Sequence, residues 1–117
     1  MNSLELTKAA VKILDEKKAE NIEVLKVDNL TILADYFIIA STTNSTHVKS
    51  LADELEFLLK QQGRTPKKVE GYQNTNWIIV DYQDVIVHIF HQEMREYYNL
   101  ERLWADGEKI DISEILK

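Results

Sequence analysis

Residues 35–42, DYFIIAST, are apolar at every position from Tyr36 to Ala40. A strand with one wet face alternates polar and apolar residues, whereas a strand covered on both sides carries an unbroken run. The chain must therefore build a sheet with cover on both faces, and helices are the natural cover. Ser3 is a suitable N-cap for a first helix in which Leu6, Ala10, Ile13 and Leu14 recur at helical spacing, ending near Glu20-Asn21. IEVLKVD, residues 22–28, is rich in β-branched residues and stops at the turn-forming pair Asp28-Asn29, which predicts a strand. TTNSTHVKS offers several caps for a second helix, whose period runs through Val48, Leu51, Ala52, Leu55, Leu58 and Leu59 until Gly63 ends it, and Pro66 bars its resumption. KKVEGY is extended, and QEMREYYNLERLW holds one further helix or two short ones. Ala105-Asp106-Gly107 breaks that segment, and the tail from about residue 106, including KIDISEILK, carries no decisive pattern and is free to be flexible. The expected fold is α/β or α+β, one domain over residues 1–117 with a mixed sheet flanked by helices.

Composition narrows the chemistry. The absence of cysteine from all 117 residues removes disulfides, thiolate metal sites and cysteine nucleophiles. Twenty acidic against fourteen basic side chains give a net charge of −6, so naked nucleic acid is a poor partner and a basic protein a better one. The N-terminal residues MNSLELTKAAVKILDEKKAE mix charges into every turn, which fits neither a secretory signal nor a membrane anchor, and a soluble cytoplasmic protein is expected.

The segment NWIIVDYQDVIVHIF, residues 76–90, reads as a hairpin. With Tyr82-Gln83 as a two-residue loop, Asp81 faces Asp84, Ile79 faces Ile86 and Trp77 faces His88 on one side, while Ile78, Val80, Val85 and Val87 form an aliphatic side. Neither Tyr82 nor Gln83 favours positive φ, so a looser turn would shift the facing pairs and keep the alternation within each strand. Two carboxylates opposed at about 5 Å repel by roughly 1 kcal/mol in water and several at an effective dielectric of 20. A divalent ion, an internal cation such as Arg95, or basic side chains of a partner would relieve them. Equally, Asp81 alone can serve as the cap of its own turn. His88 in VIVHIFH fits a hydrogen-bonded sheet histidine better than a ligand, and the three histidines show no metal spacing. Trp77 beside carboxylates fits an interface anchor.

A metal-dependent enzyme, of nucleotidyltransferase or phosphodiesterase type, would use Asp81, Asp84 and Asp35 on Mg²⁺ with Ser41, Thr42 or Ser45 near phosphates. Its parts are thin: the three glycines, Gly63, Gly71 and Gly107, form no phosphate-cradling loop, and no GxxxxGK[ST] or GxSxG occurs. A binding module fits better, with REYYNLERLW concentrating Arg95, Tyr97, Tyr98 and Trp104, the residue types that dominate hot spots. Neither a catalytic residue nor a cofactor is expected. A homodimer closed by the mixed hairpin face is a third reading.

DYFIIAST, NSTHVKSLADELE, VEGYQNTNWIIVDYQDVIVHIF and REYYNLERLW, taken together across nearly the whole chain, resemble the ribosomal silencing factor, or Iojap-like, family. The resemblance implies a fold similar to nucleotidyltransferases without their activity; here STTNST lacks the glycine, and Asp81 and Asp84 have two residues between them rather than the one of Asp-x-Asp. It further implies binding to the large ribosomal subunit through its fourteenth protein, on the face that meets the small subunit. Such binding would keep the subunits apart and repress translation when nutrients are short. Organelle relatives are credited with a role in large-subunit assembly. Trp77, Asp81 and Asp84 match the family's Trp-x-x-x-Asp-x-x-Asp segment, with Ile79 as part of the apolar anchor, and motif matches add Glu70, Tyr98 and Glu101. Gln83 stands where the family commonly has glycine, which leaves the turn geometry open.

Overall fold

The computed structural model describes residues 1–73 and 76–117. The first helix, α1 (Ser3–Glu16), begins one residue earlier than the expected cap: Asn2 is the N-cap, its side chain accepting from the Glu5 amide while Glu5 reaches back to the Asn2 amide, a reciprocal capping box. It ends at Glu16 rather than near Glu20-Asn21. Lys18 takes a left-handed backbone (φ 72°), the Ala19 amide bonds to Leu14 O and the Lys18 amide to Asp15 O, which is a Schellman motif built without glycine.

Strand β1 (Glu20–Lys26) follows at once, irregular where Asn21 (φ 50°) bulges, and β2 (Tyr36–Thr42) is buried at all seven positions. The unbroken apolar run thus lies in the middle of the sheet, as its pattern required. Helix α2 (Ser45–Gln61) is capped by Asn44, whose side chain accepts from the Thr46 and His47 amides, and stops at Gly63 (φ 91°) with an Arg64 amide to Leu59 O bond. Then come β3 (Lys68–Glu70), β4 (Trp77–Asp81) and β5 (Val85–His91). Two short helices, α3 (Gln92–Tyr98) and α4 (Leu100–Leu103), are divided by Asn99 in the left-handed region. The tail is built into the fold: β6 (Glu108–Ile110) pairs with β1, and a turn of helix, α5 (Ile112–Ile115), buries Ile115.

The sheet order is β3-β4-β5-β2-β1-β6, with β2 and β5 parallel and every other pair antiparallel. The mixed α/β architecture expected from the sequence is the one observed. Helices α1 and α2 cover one face, packing Leu6, Leu14, Leu51 and Leu55 on Val24, Ile38, Ile78, Val80, Val87 and Ile89. The opposite face carries a smaller cluster of Leu25, Phe37, Ile39 and Phe90, over which Met94, Leu100 and Trp104 close. Because α3 and α4 are short, this second layer covers less of the sheet. The side chains of β4 on that face stay partly in water.

Candidate functional site

The hairpin register differs from the tight-loop expectation by two residues. Trp77 pairs with Phe90, Ile79 with His88 and Asp81 with Ile86, in place of His88, Ile86 and Asp84. The loop is Gln83-Asp84: the Tyr82 amide donates to Val85 O at 2.9 Å, and Gln83 takes φ 77°. Gln83 should resist that backbone, but neighbouring groups hold it there. The Asp81 carboxylate accepts from the Gln83 amide at 2.7 Å, Tyr82 O accepts from the Asp84 amide at 3.0 Å, and Arg64 pairs with the Asp84 carboxylate at 2.7 Å. Asp84 O is further fixed by the Asp35 amide at 2.7 Å. Since the slip is an even number of residues, every strand side chain keeps its expected face. The expected opposition of two carboxylates does not arise, and the cation at Asp84 is Arg64, not Arg95.

Trp77, Ile79 and Asp81 line up along the half-covered face of β4. Gly71 (φ 77°) lets the chain leaving β3 pass close to β4; a Cβ there would strike the Trp77 carbonyl oxygen. The Trp77 ring stacks on Phe90 with centroids 4.9 Å apart, and Tyr98 leans on it at 4.6 Å. Its indole N–H donates to His88 Nδ1 at 3.2 Å, which leaves the proton of a neutral imidazole on Nε2. Burial pushes the His88 pKa down to about 4, against a smaller upward pull from Asp81, so His88 is a neutral sheet histidine near pH 7. Glu70 sits across from Ile79 on the edge strand and pairs with Lys68 at 3.3 Å. Among the described residues, the Asp81 carboxylate has no ion pair and accepts from the Gln83 amide of its own turn. Tyr98 is 48% exposed and touches Tyr97, which is 78% exposed.

The structure brings Glu70, Trp77, Ile79, Asp81 and Tyr98 onto one face, with Asp84 at its lower end. Glu101 stands apart from them. It turns toward the buried Arg95, whose Nε reaches its carboxylate at 3.3 Å, while Arg95 Nη1 donates to Ser41 Oγ at 2.9 Å and Nη2 lies 3.9 Å from Glu23. Lys109 of β6 holds the other oxygen of Glu23 at 3.0 Å. Two of the three residues proposed for phosphates are likewise occupied: Ser41 is fully buried and Thr42 Oγ1 lies 2.7 Å from His47 Nδ1, while Ser45 is half-buried in the first turn of α2. Among the described residues there is no group of three or more His, Asp or Glu placed to hold a metal ion, and of the aspartates the Mg²⁺ alternative would use, Asp84 is engaged by Arg64 and Asp81 by the Gln83 amide. Sequence reasoning missed Arg64, whose only signal was its place after Gly63, and two exposed aliphatics, Ile32 and Leu33, hidden in what read as a plain loop.

A family model described as "Ribosomal silencing factor during starvation" matches residues 1–117. The chain belongs to the ribosomal silencing factor family. A ribosomal silencing factor from Halalkalibacterium halodurans is 36% identical over 116 residues, covering 99% of both chains. A crystal structure of a Chromobacterium violaceum protein superposes with TM-score 0.87 at 33% identity, covering 95% of this chain and 92% of that one. The mouse protein named "Mitochondrial assembly of ribosomal large subunit protein 1" is 32% identical over 98 residues, 81% of this chain and 43% of its own length. Iojap proteins of plants are also related, including one from maize chloroplasts. No helix among the described residues of this silencing factor is long and apolar enough to cross a membrane.

Proposed function

We propose that this ribosomal silencing factor is a regulator rather than an enzyme, acting in the cytoplasm. It binds the large ribosomal subunit through the subunit's fourteenth protein, blocks joining of the small subunit and so represses translation under nutrient limitation. Family membership supports the class of function, and the large-subunit wording in the mouse relative's name supports the target. The observation that carries the placement is the half-open β4 face, where among the described residues Asp81 has no ion pair, beside Trp77, Ile79 and exposed Tyr98. Aromatic groups of this kind fill pockets and carry much of an interface's energy, while an unpaired carboxylate awaits Lys or Arg of a basic ribosomal protein. Asp84 contributes through the turn it fixes, and Glu70 lies at the rim; Glu101 acts indirectly, by holding Arg95 of α3.

Sedimentation with separated subunits tests this. Wild-type protein should travel with large subunits in preference to small ones, and less so as salt rises. Asp81→Lys should weaken that binding about tenfold or more while Asp81→Asn, which keeps the turn acceptor, falls between. Unchanged co-sedimentation of Asp81→Lys would sink the placement.

A further inference from the structure

The β1–β2 connection, residues 27–35, turns its tip outward although the tip is apolar. Ile32 is 101% exposed, Leu33 71% and Leu30 41%. Isolated exposed aliphatics need no explanation, but three within four residues form a patch. The tip is also well fixed. Leu30 and Thr31 amides bond to Val27 O at 2.9 and 3.1 Å, the Leu33 amide to Thr31 Oγ1 at 3.1 Å, and the Asp35 amide to Asp84 O at 2.7 Å. That last bond ties the loop to the aspartate turn of the hairpin. Tip and turn together wall an open groove of about 780 Å³, whose floor includes Ile86 and whose sides include Asp35, Asp81 and Lys67.

We propose that the docking face continues across this groove, and that Ile32 and Leu33 form a second apolar anchor for the same basic protein surface. This rests on the β4 reading above. Continuity favours it: Asp81 belongs both to the β4 face and to the groove wall, so one partner covering Trp77 through Asp81 reaches the tip without a gap. Scale favours it as well. Trp77 to Asp81 spans only about 13 Å of strand, whereas a standard interface of about 800 Å² per side is roughly 30 Å across. Within a molecule 33 Å wide, the tip supplies the missing extent. Charge identifies the occupant: Arg64 is engaged by Asp84 and Lys68 by Glu70, so among the described residues the groove offers two carboxylates without an ion pair, Asp35 and Asp81, against Lys67. A partner presenting an aliphatic recess ringed by Lys or Arg complements that arrangement. Because the loop is already fixed by backbone bonds, little ordering opposes its use.

The test is co-sedimentation of the full chain with purified large subunits, using Ile32→Ser combined with Leu33→Ser. The doubly substituted protein should melt within a degree or so of wild type, since these side chains contribute almost no burial. Its affinity for large subunits should fall at least tenfold, with the salt dependence of binding unchanged, because apolar contacts release no ions. Asp81→Lys, by contrast, should flatten that dependence. Single substitutions give a check on the occupant's charge: Ile32→Lys should bind more weakly than Ile32→Glu. Wild-type affinity in the double serine variant, alongside weakened Asp81→Lys, would overturn the tip while leaving the β4 face standing. No loss in either would remove both. A variant that loses self-association in light scattering and keeps subunit binding would assign the tip to a second copy of this chain, and would overturn the proposal too.

Discussion

Replacing Gln83 with glycine should stabilise the protein. Gln83 is held at φ 77° at the centre of the tight turn, a backbone that costs a residue with a Cβ about 1–3 kcal/mol. Glycine removes that cost but gives the unfolded chain extra freedom worth about 0.5–1 kcal/mol. The Gln83 side chain is exposed, and no bond to it figures in the turn, so little packing is lost. The difference leaves a gain of about 1 kcal/mol. A chain of 117 residues unfolds with an entropy near 0.25 kcal/mol/K at about 2.1 cal/mol/K per residue, so the melting temperature should rise by about 4 °C. Calorimetric melts at pH 7 measure this directly. Gln83→Ala serves as the control, since alanine keeps the Cβ and hence the strain, and it should melt close to wild type. A glycine variant melting at or below wild type would refute the reasoning, because the positive φ would then carry no cost for glycine to relieve.

Two further substitutions probe the second face. His88 has a pKa near 4 in the folded chain, below its ordinary 6.5, so it is neutral in both states above 6.5. As pH falls below 6.5 the unfolded chain binds a proton that the folded one refuses; stability should drop by about 3 kcal/mol by pH 4, and His88→Gln should flatten that decline in urea melts. An unchanged slope would move the titration to another group. Arg95→Met should cost about 3 kcal/mol, because Ser41 loses its donor and Glu101 its cation, although part exposure of the carboxylates softens the loss. Adding Glu101→Gln to Arg95→Met should cost less than the two losses summed; additivity would show that the pair is not coupled.

Much of the fold was legible because burial patterns are local. The run Tyr36–Ala40 placed the central strand, the period through Leu59 placed α2, and the alternation in β4 and β5 sorted every side chain to its face. What escaped depends on contacts distant in sequence. The hairpin register turns on Arg64 and Asp35, some twenty and fifty residues from Asp84, which stabilise a turn that Gln83 would avoid in isolation. The end of α1 was hidden because Lys18 takes the left-handed position usually given to glycine. The tail looked undecided since EKI offers too little pattern for a strand; its partner, β1, lies over eighty residues away, and Lys109 meets Glu23 only once the two are paired. At the candidate site, residue types pointed to Trp77 and Asp81. They could not reveal that Glu101 faces inward to Arg95, nor that Ile32 faces water.

The outermost strands, β3 and β6, are three residues each and carry Lys68, Glu70, Glu108 and Lys109. Borders so brief and so charged give another polypeptide little backbone to zip onto. Recognition must therefore come broadside, through side-chain identity rather than main-chain hydrogen bonding. It follows that this scaffold can discriminate sharply between related partner surfaces, since a single exchanged residue on either party changes the fit directly.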